Sequence, residues 1–464
     1  MNADLARSGK NPVLLAAALS IPAILEQLLV TATSYVDTAM VGSLGAGATA
    51  AISVTASCNW LINGVIMALG VGYSVRAAYF IGAGEPEMVQ KTLIQSVIGS
   101  LILGIGAMLI GSPLSLVLPK WMGAAPEIRK DAFLYMLVLM LALPGRTFHA
   151  VFSAILRCMG NTRTPMIVNT LINLLNVVLN FFLIYDTAVY TVLGHRITLP
   201  GAGLGVLGAA VATGLSLLVG GIWLTAKVLF CSEEYCPKFR GNFHLERKLQ
   251  KDCLGVAIPV ALERITISFG QIIMTRMVST LGTVSLAANY VAVTAEQICY
   301  MPAYGIASAS TALVGQNVGA GQWKRAKFFG KVTGWIGVGL TAILALAMFL
   351  WSDTLGKAFS SDLEVALLSG EMLRIVSVAE PMFSMSTVMS GALRGAGEAK
   401  YPFYVGIICM LCIRVSLGAV LLFGFHLGLS AVWIAMAVDL NLRGIANYLH
   451  FIRGKWIPAG IQTT

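Results

Sequence analysis

Long apolar runs separated by short polar connections extend along this chain from one end to the other. Each is about the 20 residues that an α-helix needs to cross a bilayer. The pattern predicts twelve helices: 13–42, 48–81, 92–118, 131–156, 165–185, 204–230, 254–280, 286–317, 331–352, 365–392, 402–423 and 428–451. The runs are continuous rather than alternating, and far too long for barrel strands, so strands are not expected. The fold class that follows is an all-α membrane protein.

The pattern also repeats. Ile21-Pro22 with Leu25-Glu26 returns 237 residues later as Ile258-Pro259 with Leu262-Glu263. The same shift carries Leu44-Gly45 to Leu281-Gly282, Gly82-Ala83-Gly84 to Gly319-Ala320-Gly321, and Leu156-Arg157 with Gly160 to Leu393-Arg394 with Gly397. Six helices in each half place the two repeats in the same orientation, as two lobes related by an axis along the membrane normal, with a site between them. The expected division is a first lobe over 1–230, a cytoplasmic linker over 231–253 and a second lobe over 254–464. A 14-residue excess after Tyr185, which includes His195 and Pro200, is expected to be an external loop.

Composition fixes the solvent: 57% of residues are hydrophobic, 11% are charged and the mean hydropathy is +0.81. These values lie outside the range of soluble globular domains. Lys and Arg cluster in alternate connections: Arg7 and Lys10; Lys91; Arg157 and Arg163; Lys238 to Lys251; Lys324 to Lys331; Arg394 and Lys400; Arg453 and Lys455. The positive-inside rule then puts both termini in the cytoplasm of a multi-pass protein of the cell (plasma) membrane. The net charge of +10 reflects this topology rather than a nucleic-acid surface. No cleavable signal peptide is expected, because Glu26 and Asp37 interrupt the first apolar run. Cys231 and Cys236 fall in the linker, where they should stay reduced. Cys409 and Cys412 form a CxxC without a second ligand pair, and packing is their expected role.

Ionisable groups inside apolar helices are costly, so each is a candidate for function. Asp37 lies in a polar patch of the first helix, and its repeat partner is Met274. Asn173, Asn176 and Asn180 are spaced to share one face of the fifth helix, whereas their partners Met410, Ile413 and Leu417 are apolar. The first lobe alone therefore offers a carboxylate and carbonyl oxygens, to which Thr213 of the sixth helix could add a hydroxyl, a hard-oxygen set suited to a small cation or a proton relay. Interhelical hydrogen bonding and helix capping are the bland alternatives for the same residues.

Glu26, Glu263, Glu296 and Glu380 are the remaining carboxylates within helices, and as lining of a central cavity they would attract cations. The competing reading pairs some of them with Arg264, Arg276, Arg374 or Arg414. Pro22, Pro259, Pro302 and Pro381 interrupt helices and permit kinks, which in a transporter can bend between states, with static packing equally consistent. Gly203-x-Gly205-x-x-Gly208 imitates a dinucleotide fingerprint without the strand that such a fingerprint needs. No phosphate loop for ATP is present, and the dispersed histidines suggest neither a metal cluster nor an enzyme.

The motifs just described resemble those of the multidrug and toxic compound extrusion (MATE) family. Ile21-Pro22, Val36-Asp37-Thr38, Gly82-Ala83-Gly84, Ala154-Ile155-Leu156-Arg157, Gly208-Ala209-Ala210 with Thr213, Val314-Gly315-Gln316 and Gly391-Ala392-Leu393-Arg394-Gly395-Ala396-Gly397 carry the resemblance across both halves. It implies an antiporter, expected to be monomeric, that exports small organic, mostly cationic compounds across the lipid bilayer against Na⁺ or H⁺, with no other cofactor. It also implies a coupling site at Asp37, Asn176, Asn180 and Thr213, and a bending proline at Pro22. Some relatives carry Asp where this chain has Asn180, and others place second-lobe acids where it has Ile267 and Phe383. A lipid-linked glycan flippase of the same superfamily is the alternative, against which the carboxylates and the twelve helices argue.

Overall fold

The chain folds almost wholly into helices, because its apolar runs have no water to satisfy their backbone groups and helices satisfy them internally. The computed structural model describes residues 11–192, 195–230, 244–360 and 362–458. Arg7, Lys10, Cys231, Cys236, Lys238 and most of the expected linker lie outside these residues.

The first repeat comprises α1 (Pro12–Gly42), α2 (Ala46–Ala83), α3 (Pro86–Leu114), the short α4 (Leu118–Trp121), α5 (Arg129–Leu141), α6 (Leu143–Cys158), α7 (Arg163–Ile184), strands β1 (Asp186–Val192) and β2 (His195–Ala202), and α8 (Gly205–Phe230). The second comprises α9 (Arg247–Ser279), α10 (Thr283–Gly319), α11 (Trp323–Leu350), α12 (Ser352–Phe359), α13 (Leu363–Ser377), α14 (Glu380–Gly395), α15 (Lys400–Ile407), α16 (Ser416–Ala419) and α17 (Leu429–Arg453). π-Helical turns at Ile408–Val415 and Val420–Gly424 flank α16 and continue the α15 rod.

Among the described residues nine helices are long and apolar enough to span a bilayer, and the bent pair α5–α6 makes a tenth. At the 237-residue shift α10 and α13–α14 take the places of α2 and α5–α6, which is consistent with twelve spans. Leu14, Ile102, Ile110, Ile222, Ile343 and Leu350 lie on the outer surface, as a lipid-facing belt requires.

The duplicated sequence becomes a duplicated backbone. Gly45 and Gly282 begin α2 and α10 at φ of +108° and +98°, and Gly160 and Gly397 end α6 and α14 at +81° and +88°. Only glycine holds such angles without a steric cost.

Three details differ from the sequence reading. Helices α3, α9 and α11 start six to eight residues earlier than expected, because their charged first turns, such as Arg247-Lys248 and Trp323-Lys324-Arg325, are helical but lie outside the apolar window. The expected fourth span bends by 51° at Ala142, just before Pro144. The tenth breaks at the equivalent place before Pro381, whereas Pro22, Pro259 and Pro302 sit inside unbroken helices. Finally, the excess after Tyr185 is an antiparallel β-hairpin rather than a plain loop, with Val192 opposite His195 and Asp186 opposite Ala202.

Each lobe has its own core. Tyr73, Leu93, Phe152, Ile155 and Leu224 centre the first, and Met274, Ala292, Met372, Val376 and Trp433 the second. The lobes meet at the end of the bundle that carries the basic connections. There Leu15, Ala16 and Leu19 of α1 pack on Ala309, Leu313 and Phe329, while Val256 and Val260 of α9 pack on Ala68 and Val75. The seam is two-fold in detail. A Cβ on Gly82 would fall 1.8 Å from the Gln316 carbonyl oxygen, and one on Gly319 would fall 1.9 Å from that of Tyr79. Both pairs are related by the 237-residue repeat. Gln316 Nε2 completes the closure by donating to the Cys158 carbonyl at 2.8 Å.

Candidate functional site

The four first-lobe residues singled out from the sequence come together in one node where α1, α7 and α8 meet. Two turns of α7 present Asn176 and Asn180 on the face that packs against α1, so both amides point at Asp37. Asn180 Nδ2 donates to Asp37 Oδ1 at 2.5 Å. Asn176 is satisfied with its amide nitrogen toward Asp37, 2.8 Å from Oδ1 and 3.1 Å from Oδ2. Its oxygen then accepts from Thr213 Oγ1 at 3.3 Å and from the Thr213 backbone N–H at 3.2 Å. Asn176 and Asn180 are buried, Asp37 and Thr213 half-buried. Asn180 Oδ1 is enclosed yet accepts no hydrogen bond from any described residue. An orphaned buried amide oxygen beside a carboxylate is a donor set that fits a small hard cation, with one negative charge matched to a monovalent ion.

The second lobe fills the equivalent space with methionine. Met274 and Met410 stand where the first lobe has Asp37 and Asn173, are 1% and 0% exposed, and pack around Gly270 and Gly418. Asn173 itself stays outside the node, and its Nδ2 has no partner among the described residues.

Glu26 and Glu263 form the same ion pair twice. Arg157 Nη1 donates to Glu26 Oε1 at 2.7 Å, and Arg394 Nη2 to Glu263 Oε2 at 2.6 Å. The partners are arginines placed by the sequence reading in the basic connections, not Arg264, Arg276, Arg374 or Arg414. Each sits in the last turn of its helix and reaches back into the lobe. In the first lobe Asn169 Nδ2 also donates to Glu26 Oε1 at 2.6 Å, and His149 Nε2 lies 2.6 Å from Asn169 Oδ1. Both carboxylates are buried and committed to structural ties. Arg374 pairs with Asp353, and Arg414 lies 3.8 Å from Asp439, which Arg443 holds with contacts of 2.8 Å to both oxygens.

Glu296 of α10 and Glu380 of α14 differ from that pair. They are neighbours, 6% and 0% exposed, with Cys299 beside them. Neither oxygen of Glu380 accepts a hydrogen bond from a described residue. Their repeat positions are Asn59 and Leu143, so this carboxyl pair is specific to the second lobe.

Tyr135 and Arg146, which the sequence reading passed over, lie next to the first-lobe node, Tyr135 near Asp37 and Arg146 near Tyr135. Arg146 was detectable as an intramembrane charge whose repeat position is Phe383. Toward the end of the bundle away from the basic connections, Tyr35 of α1 donates to the Thr294 carbonyl at 2.6 Å. A groove of about 510 Å³ opens beside it between α9 and α10, lined by residues including Gln271, Thr275, Asn289 and Tyr290.

Comparison with known proteins agrees with this architecture. The MatE family model matches residues 22–182 and 259–420, one stretch in each lobe. A probable multidrug resistance protein NorM of Thermotoga maritima is 31% identical over 96% of this chain and 93% of its own length. One of the same description from Pseudomonas aeruginosa is 28% identical over 93% and 87%. Among solved structures, a MATE in complex with MaD5 superposes with a TM-score of 0.87 at 25% identity, covering 98% of both chains. An outward-facing multidrug resistance MATE transporter of the MOP superfamily gives 0.89 at 24% identity, again over 98% of both.

Proposed function

Because the chain belongs to the MatE family, we propose that it is a secondary active exporter of small organic, mostly cationic and amphipathic compounds. In this reading Na⁺ or H⁺ entering the cell drives export by alternating access between the two lobes. The observation that carries it is the one-sided node of Asp37, Asn176, Asn180 and Thr213. A duplicated fold that keeps a carboxylate and an unsatisfied amide oxygen in one lobe, and methionines in the other, has given that lobe its own task.

A bound cation would take Asp37 together with oxygens of Asn176, Asn180 and Thr213, the two amides turning their oxygens toward the carboxylate in place of their nitrogens. It would relieve the enclosed Asn180 oxygen and neutralise a half-buried charge. The coupling energy then comes from the difference in ion affinity between the two states of the lobes. The tight seam at the basic end supports a state closed toward the cytoplasm. On this reading the protein works as a monomer in the plasma membrane, with both termini inside and without ATP.

The test is dye efflux from cells that express the protein. Asp37→Asn is expected to reduce efflux to the level of cells lacking the transporter while its amount in the membrane is unchanged. Full efflux by that variant would remove Asp37 from the mechanism.

A further inference from the structure

The polar face of α7 does not stop at the node. Asn169, Asn173, Asn176 and Asn180 follow one another at intervals of four, three and four residues, so all of them share one face of the helix. At 1.5 Å per residue they span about 17 Å of its length. Toward the basic end Asn169 Nδ2 donates to Glu26 at 2.6 Å, and its Oδ1 accepts from His149 Nε2 at 2.6 Å. α8 runs alongside. Thr213 meets Asn176, and Gly220 lies against Ile172 and His149, which leaves Ser216 level with Asn173.

This face is unsatisfied along its length. Asn180 Oδ1, Asn173 Nδ2, Ser216 Oγ and Glu26 Oε2 are all enclosed, and none has a hydrogen-bond partner among the described residues. Helix packing alone would pair such groups with one another, because an unpaired polar group within a bilayer is costly. Water or a passing ion satisfies them instead. The repeat also rules out a scaffold role. At the 237-residue shift the α7 positions become Gly406, Met410, Ile413 and Leu417, and His149 becomes Ser386. Met410 is 0% exposed and fills its space so closely that a Cβ on Gly270 would lie 2.5 Å from its Cε. The second lobe is plugged where the first is polar.

We infer that this face is the route by which the coupling ion leaves Asp37 for the cytoplasm, through the interior of the first lobe rather than between the lobes. The route rests on the coupling reading above and adds to it a direction and a set of residues. An ion leaving Asp37 meets Asn176, then Asn173 with Ser216, then Asn169 with His149, each step about one helical turn. α7 begins at Arg163 in the basic connections, so Asn169 lies about 9 Å along the helix from that end. The Glu26–Arg157 pair stands across the inner mouth and closes it in this state. Ion and exported compound then follow separate paths, and the seam between the lobes stays tight while the ion departs.

Cysteine reactivity tests the route without any transport. In a protein whose eight native cysteines are replaced, Asn173→Cys is compared with Leu174→Cys on the outer, 60% exposed surface and with Met410→Cys in the other lobe. Only the thiolate reacts, and a thiol ionises in water but not in lipid or a dry core. A small cationic methanethiosulfonate is added to the cytoplasmic side of inside-out vesicles, with free cysteine as scavenger on the other side. It is expected to modify Asn173→Cys about tenfold faster, or more, than either control. Asn173→Leu, which copies the apolar second lobe, should slow gradient-driven dye export about tenfold and leave dye binding within about twofold. Asn173→Gln should recover part of the rate. Labelling of Asn173→Cys no faster than the controls, labelling from the outer side only, or wild-type export by Asn173→Leu would overturn the route. The labelling needs no gradient, so its failure counts against the route alone. Absence of wild-type export under any gradient would overturn the exporter reading, and the route with it.

Discussion

Removing Arg157 would leave Glu26, a residue 3% exposed whose Oε2 has no partner among the described residues, without its counter-ion. A buried charge that loses its counter-ion costs about 3–5 kcal/mol, far more than losing the whole pair. Arg157→Gln should therefore lower the melting temperature of the purified protein sharply, and Glu26→Gln with Arg157→Gln should recover most of the loss. A double variant as unstable as the single one would show that the pair is not the structural tie described. The coupling node responds to a different change. Asn180→Asp adds a second carboxylate beside Asp37, and the Na⁺ or proton concentration for half-maximal transport should shift about tenfold or more. Unchanged ion and pH profiles would exclude α7 from coupling. The two groups were unequally legible in the sequence. Asn176 and Asn180 were visible because helical spacing puts them on one face and their repeat partners are apolar. The Glu26–Arg157 contact spans 131 residues, and no local pattern encodes it. A signal for it existed all the same, since both members are carried by the 237-residue repeat. Glu26 and Arg157, which recur, make scaffold, while Asp37 and Asn180, which do not, gather in the first-lobe node.

Helices were legible wherever the apolar window was long, and misjudged where chain direction changes. Pro144 and Pro381 begin α6 and α14 after a break, because proline cannot donate to the preceding turn and suits the first turn of a new helix. Hydropathy alone runs straight through both breaks. The stretch equivalent to the Asn-rich part of α7 is π-helical over Ile408–Val415, which turns Arg414 toward Asp439, and no composition signal marks it. At the seam between lobes, the close approach of α2 to α10 depends on the absence of two side chains. Gly82→Val or Gly319→Val should keep the basic end from closing while each lobe still folds. The expected readout is faster maleimide labelling of Cys158, now 3% exposed, in a protein whose other cysteines are replaced. Unaltered labelling together with normal efflux would mean that the seam plays no part in the cycle.

The whole molecule is two similar lobes joined tightly at one end, each with its own apolar core and its own lobe-specific polar set. That division allows the lobes to rock as bodies about the seam, since sliding packed cores would cost far more than repacking one interface. It also separates tasks. The first lobe holds the single-carboxylate node, and the second holds the buried carboxyl pair of Glu296 and Glu380. The central claim is that an ion at Asp37 drives export, and purified protein in liposomes tests it most directly. Dye export would be followed under an imposed Na⁺ gradient and, separately, an imposed pH gradient, for wild type and Asp37→Asn. The account predicts export driven by one of these gradients and lost in the variant. Export by folded wild type under neither gradient, or export that persists unchanged in Asp37→Asn, would contradict it.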